Sequence, residues 1–171
     1  LQDSYQLNPE KTFVSGMSNG AYMSYTLMCQ AGDFFKGAAP VAGLSENSIL
    51  NNCDPQGQKP LLHIHGVDDG LVPITGKRSK SGKKSSFPSA EELVMYFAKL
   101  NNYAKKETIK ATQNATLHKY LPEGDGFEVH YYRIENYGHA WPSSPNRNKS
   151  GEKDASGFFA TEVIWDFFSR Y

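Results

Sequence analysis

Gly16-Met17-Ser18-Asn19-Gly20 stands between a β-prone run, Thr12-Phe13-Val14-Ser15, and a helix-compatible stretch from Ala21 to Met28. A G-x-S-x-G pentapeptide between a strand and a helix is the sequence form of a nucleophile elbow. The turn forces its serine into a strained backbone conformation. A side chain at either flanking position would crowd the crossing elements, so Gly16 and Gly20 are both expected to relieve a clash. Such a turn lifts the Ser18 hydroxyl to the top of a sheet. It also aims the backbone N–H of Asn19 and the helix N-terminus at any oxyanion that forms there.

The 171 residues are most simply one domain and are enough to bury a core. Eighteen basic residues balance eighteen acidic ones, which leaves no global field to favour nucleic acid or an anionic membrane. No run approaches the roughly 18 apolar residues of a membrane span, so no such span is expected. No signal peptide opens the sequence, and Leu1-Gln2-Asp3-Ser4-Tyr5 reads as the end of a helix feeding an Asn8-Pro9 turn. Cys29 and Cys53 are too few and too far apart for a zinc knuckle. They are either two unrelated thiols or a disulfide tying a polar loop to the helix after the elbow. The second reading implies an extracytoplasmic home.

Further along, Phe35 to Gly43 is a small-residue run suited to a tightly packed central strand. A polar loop from Leu44 to Lys59 precedes a short apolar strand, Pro60 to Gly66. Pro88-Ser89-Ala90-Glu91-Glu92 opens a helix with a capping box between Ser89 and Glu92, and Leu93, Val94, Phe97 and Leu100 follow at helical spacing. Phe127 to Ile134 is strand-like. Phe158 to Tyr171 reads as an amphipathic helix carrying Phe159, Val163, Phe167 and Phe168. Strands alternating with helices predict an α/β layer architecture on a mainly parallel sheet. Lys77, Arg78, Lys80, Lys83 and Lys84 lie among Ser and Gly, which favours a solvated surface insertion over a polyanion-binding loop.

A serine hydroxyl needs a base to become nucleophilic, and the base needs an orienting carboxylate. Asp68 and Asp69 follow the Pro60–Gly66 strand directly, in His65-Gly66-Val67-Asp68-Asp69-Gly70-Leu71-Val72-Pro73. A loop leaving that strand would share a sheet edge with the elbow. Spacing from Val72-Pro73 favours Asp69 as the acid, with Asp68 solvated or helping the turn. Of five histidines, His63 reads as a packed core residue and His65 as shaping the loop after its strand. His118 and His130 look like ordinary half-exposed strand residues. His139 differs, because Tyr137-Gly138-His139-Ala140-Trp141-Pro142 is a glycine-flanked loop between the Phe127–Ile134 strand and the last helix, where a catalytic base belongs. Trp141 reads equally as a platform for an aromatic or sugar ring and as a packed loop anchor.

The combination of Gly16-Met17-Ser18-Asn19-Gly20, Leu62-His63-Ile64-His65-Gly66 with Asp69 and Val72-Pro73, and Gly138-His139-Ala140-Trp141-Pro142 resembles the polyhydroxybutyrate-depolymerase and feruloyl-esterase family of α/β-hydrolases, from about Leu7 to Tyr171. The resemblance implies an α/β-hydrolase fold with Ser18 as nucleophile, Asp69 as acid and His139 as base. It implies a secreted or periplasmic serine esterase acting on polyester or on feruloyl or acetyl groups of plant polysaccharides, with no metal or organic cofactor. It also implies that Cys29 pairs with Cys53.

Members of that family carry several strands ahead of the elbow, and a Gly-Gly-type loop there supplies a second oxyanion N–H. Nothing before Gly16 offers one, so residues 1–171 are expected to be one catalytic domain lacking its N-terminal strands. The isolated chain is accordingly expected to be impaired and to associate through an open sheet edge. A non-catalytic carbohydrate- or polymer-binding module of the same fold is the rival from a different class, and a peptidase or thioesterase the nearest enzymatic rival.

Overall fold

The computed structural model describes residues 2–76, 86–143 and 154–171. The basic run at Lys77, Arg78, Lys80, Lys83 and Lys84 lies outside the described residues. In chain order the elements are α1 (Gln2–Tyr5), a 3-10 turn (Pro9–Lys11), β1 (Val14–Met17), α2 (Asn19–Gln30), β2 (Ala38–Val41), α3 (Asn47–Leu50), β3 (Leu61–Gly66), α4 (Ala90–Leu100), β4 (Tyr103–Lys110), β5 (Ala115–Pro122), β6 (Val129–Ile134) and α5 (Ala160–Phe168).

The six strands form one sheet in the order β1-β2-β3-β6-β5-β4. β1, β2, β3 and β6 run parallel, and β5 and β4 continue the sheet antiparallel. The parallel half carries helices on both faces, so all six residues of β3 and all four of β2 are buried. Successive residues feed opposite faces. Leu61, Val129 and Tyr131 join a core with Tyr25 and Met28 of α2 and Leu93, Val94 and Phe97 of α4. Leu62, Ile64 and Ile134 join a second core with Ala160, Ile164 and Phe167 of α5. The result is an α/β layered sheet whose parallel half sets the loops of β1, β3 and β6 at one edge.

The α4 capping box forms as read, with Glu92 N–H donating to Ser89 Oγ at 3.2 Å and Ser89 N–H to Glu92 Oε2 at 2.8 Å. Several expectations need correction. Leu100 lies on the exposed side of α4's last turn rather than in the core. The last helix begins at Ala160, and Phe159 is its exposed N-cap. Its core face is Ala160, Ile164 and Phe167, because Phe159 still has extended backbone and lies outside the helical period. His130 is buried rather than half-exposed, since β6 is paired on both sides and the Phe167 ring covers it with centroids 4.8 Å apart. β4 and β5 form an antiparallel hairpin that the sequence pattern does not announce. Its outer strand, rich in Lys105, Lys106, Glu107 and Lys110, is nearly all exposed, and charge is a common device for blunting a sheet edge.

Cys29, at the end of α2, is disulfide-bonded to Cys53. The same junction is closed by Asp54 N–H donating to the Cys29 carbonyl at 3.1 Å. It is also tight at Gly32, where a Cβ would stand 2.2 Å from the Pro55 oxygen. The bridge spans a sequence separation of 24, for which chain-entropy arguments give about 3 kcal/mol of stability. Urea unfolding with and without reductant should differ by that amount, and non-reduced peptide mass spectrometry should recover one linked Cys29–Cys53 pair. Two freely alkylated thiols would reject the bridge.

Candidate active site

Ser18 is both the last residue before α2 and its N-cap, with φ 55° and ψ −117°. A non-glycine residue in that region stores about 1–3 kcal/mol of backbone strain, which the surroundings must hold. They do so through hydrogen bonds and close packing. Ser18 N–H donates to the Val41 carbonyl at 3.0 Å, while the Ser18 carbonyl accepts from Ala21 and Tyr22 N–H at 2.9 and 3.1 Å. A Cβ on Gly16 would lie 2.7 Å from the Gly20 backbone, and one on Gly43 would lie 2.5 Å from Ala21 Cβ and 2.8 Å from the Ser18 oxygen. Gly43, just past β2, is therefore part of the elbow, although no pentapeptide pattern contains it.

The expectation that Gly20 also relieves a clash is wrong, since a Cβ there meets nothing within 4 Å. Gly20 is already turned into the first turn of α2, and its partner in the crossing is Gly16. Gly20→Ala should therefore raise stability slightly, by about 0.5–1 kcal/mol, through helix propensity. Gly16→Ala should cost several times as much. Equal unfolding midpoints for the two variants would contradict this.

The acid loop leaves β3 at the same end of the sheet. Asp69 is buried, and its Oδ1 accepts from Leu71 N–H at 3.0 Å and Val72 N–H at 2.7 Å. Its Oδ2 accepts from His139 Nδ1 at 2.8 Å, and His65 Nε2 stands 3.4 Å away. Burial alone would raise the carboxyl. The hydrogen bonds from His65, Val72 and His139 overcome it and hold Asp69 down to about 2. Asp69 is thus an ionised carboxylate with both oxygens engaged. The neighbouring Asp68 side chain is exposed, and its backbone N–H donates to the Tyr137 carbonyl at 3.0 Å.

The histidine loop leaves β6 against this acid loop. Val67 N–H extends the β3–β6 pairing to the Ile134 carbonyl at 2.8 Å. A Cβ on Gly66 would lie 2.2 Å from the Tyr137 oxygen, so only glycine lets the two loops meet. Beyond His139, the buried Asp154 accepts from Ser143 N–H at 3.0 Å and from Ser156 N–H at 2.8 Å, anchoring the far side of the loop. Nothing in the sequence distinguishes Asp154 from the solvated acids around it. His139 turns Nδ1 to Asp69, and its Nε2 has no hydrogen-bond partner among the described residues.

The elbow is tied to both loops. Burial, and then the charges of Asp69 and Glu46, push the phenol of Tyr22 up, which puts the first turn of α2 within electrostatic reach of the acid. Met17, immediately before Ser18, packs against the same buried cluster as Ala140 and Trp141. Trp141 is half-buried there. At the start of α2, the N–H groups of Asn19 and Gly20 bond no carbonyl among the described residues, as helix geometry dictates for a first turn.

A parallel sheet with a strained serine turn after one strand, an acid loop after another and a histidine loop after a third has the α/β-hydrolase fold. Comparison with solved structures agrees: the chain is similar to the acetyl xylan esterase from Aspergillus awamori, with a TM-score of 0.62 at 15% identity, covering 99% of this chain and 63% of that one. The family model described as the prolyl oligopeptidase family matches residues 1–54. Along its full length the chain is 22% identical to a bifunctional acetylxylan esterase/xylanase of Neocallimastix patriciarum, covering 22% of that protein. It is 36% identical to a probable feruloyl esterase C of Aspergillus clavatus over 37% of this chain and 22% of that one. With the corresponding protein of Aspergillus terreus it shares 32% over 41% of this chain and 25% of the relative. The chain spans between about a fifth and a quarter of the length of these curated relatives.

Proposed function

We propose that this chain is the catalytic domain of a serine carboxylic-ester hydrolase. The observation that carries the reading is the buried, ionised Asp69 bonded to His139 Nδ1 at the sheet edge that also holds the Ser18 turn. With Nδ1 committed to Asp69, His139 Nε2 is the nitrogen left to take the Ser18 proton as Oγ attacks the ester carbonyl. The developing oxyanion is met by the Asn19 N–H at the positive end of α2. Collapse of the tetrahedral intermediate releases the alcohol, protonated by His139, and leaves an acyl-enzyme on Ser18. Water, deprotonated by His139, then attacks the acyl carbonyl, and Ser18 Oγ departs with the proton from His139.

The acetylxylan and feruloyl esterases among the relatives favour acetyl or feruloyl groups as the acyl moiety, with polyhydroxyalkanoate esters as the third member of the set. Trp141 is the residue we assign to contact an aromatic or sugar ring. The Cys29–Cys53 bridge fits a secreted or periplasmic protein. Association through the outer edge of β1, which has no strand partner among the described residues, belongs to the same proposal. A peptidase is the second reading, favoured by the prolyl oligopeptidase match across the elbow.

Parallel assays on p-nitrophenyl acetate, methyl ferulate, a hydroxybutyrate oligomer and a prolyl p-nitroanilide test these readings. Hydrolysis of acetyl or feruloyl esters with little amide cleavage is expected. Amide turnover exceeding ester turnover would replace the esterase by the peptidase. Inertness of the full-length gene product on all four, with no labelling of Ser18 by a fluorophosphonate, would reject both.

A further inference from the structure

Tyr25 of α2 and His63 and His65 of β3 are each no more than 1% exposed, and the reaction proposed above uses none of them. Positions 63 and 65 share one face of β3, which sets the two imidazoles in line beneath the acid loop. Tyr25 Oη lies 2.7 Å from His63 Nδ1, His63 Nε2 lies 3.1 Å from His65 Nδ1, and His65 Nε2 lies 2.9 Å from the Val72 carbonyl. His65 Nε2 is also 3.4 Å from Asp69 Oδ2, the oxygen that accepts from His139.

The proton order in this chain follows from its two ends. At one end, His65 Nε2 faces two oxygens that can only accept, a carbonyl and an ionised carboxylate, so Nε2 carries the proton. At the other, the Tyr25 hydroxyl has no hydrogen-bond partner but His63 among the described residues. Were Tyr25 the acceptor, its own proton would be buried without a partner, which is the costly arrangement. Tyr25 therefore donates to His63 Nδ1, His63 donates through Nε2 to His65 Nδ1, and His65 donates through Nε2 to the Val72 carbonyl, with Asp69 Oδ2 3.4 Å from the same nitrogen. Both imidazoles are neutral Nε2–H tautomers in this order. Burial, reinforced by His65, holds His63 well below the ordinary histidine value, and burial holds the Tyr25 phenol well above its own.

We propose that Tyr25, His63 and His65 form a one-directional hydrogen-bond relay that ends on Asp69 and positions its carboxylate for His139. The proposal rests on reading Ser18, Asp69 and His139 as a triad. Every donor in the relay points toward Asp69, and each bond polarises the next. The last N–H leans on Oδ2, so the oxygen that orients the imidazole is fixed from the core side as well as by the Leu71 and Val72 amides on Oδ1. These three are positioning residues, and none of them touches the reacting atoms.

Long-range proton–nitrogen NMR of the histidine-labelled chain at neutral pH tests the order without requiring turnover. His63 and His65 should each show a protonated Nε2 and a bare Nδ1, whereas His139 should be protonated at Nδ1. In kinetics on a short aryl ester, Tyr25→Phe should lower kcat about fivefold with KM unchanged, the effect of one buried hydrogen bond. His65→Phe should lower kcat about 100-fold. His65→Gln, whose amide nitrogen can donate from the place of Nε2, should recover to within about tenfold of the wild type. An Nδ1–H tautomer or an imidazolium at His63 or His65 overturns the relay, as does a folded His65→Gln no more active than His65→Phe. Turnover surviving in Ser18→Ala would instead overturn the triad while leaving the tautomers as they are, so the two failures are distinguishable.

Discussion

Ser18→Ala is expected to abolish ester hydrolysis, lowering kcat by about 10⁴–10⁶-fold, with the unfolding midpoint close to that of the wild type. The asymmetry follows from where the serine sits. Its backbone, not its hydroxyl, makes the elbow: the 3.0 Å bond to Val41 and the two bonds accepted from Ala21 and Tyr22 survive the substitution. Alanine inherits the same strained φ of 55°, so the folded state bears no new backbone cost. Its hydroxyl makes no capping bond to α2 that would be lost. Kinetics on p-nitrophenyl acetate and equilibrium unfolding in urea read the two quantities separately. A fluorophosphonate should label the wild type once, at Ser18, and leave the variant unlabelled. Retained turnover in Ser18→Ala would sink the assignment of the nucleophile.

The parts of this fold legible in the sequence are those governed by local rules. The Ser89–Glu92 capping box, the small-residue run that becomes β2 and the apolar run that becomes β3 each declare themselves within a few residues. So does the serine turn, because the steric demand at Gly16 is met four residues later in the same pentapeptide. What stays hidden is set by partners distant in the chain. Gly43 and Gly66 look like ordinary glycines closing a strand until Ala21 and Tyr137 arrive against them. His130 alternates like a surface residue, and only the two strands beside β6 and the Phe167 ring bury it. Asp154 resembles a solvated acid, yet it holds the far end of the histidine loop through contacts that local pattern does not encode. The β4–β5 hairpin escapes for a related reason. Lysine-rich β4 has the composition of a solvated segment, and it is a strand because β5 offers a row of backbone partners.

Asp69→Asn is expected to lower kcat by about 10⁴-fold, whereas Asp68→Asn should stay within a few-fold of the wild type. An asparagine at 69 keeps the shape but offers His139 either a neutral oxygen or an N–H. The imidazolium that forms as Ser18 loses its proton then has no anion beside it. Asp68 has no comparable part, because its side chain is exposed and its contribution to the loop junction runs through its backbone. The two variants also separate in acid. The Asp69 carboxyl is held at about 2, below its ordinary 3.8, so its ionisation favours the folded state at every pH above that ordinary value. That stabilisation, about 2 kcal/mol, is lost as pH falls from about 4 through 2. The urea midpoint of the wild type and of Asp68→Asn should fall steeply in that window. Asp69→Asn, having no proton to take up there, should fall less. If instead Asp68→Asn proves the inactive variant and carries the flattened acid limb, the orienting carboxylate is Asp68, and the bond between Asp69 and His139 is structural alone.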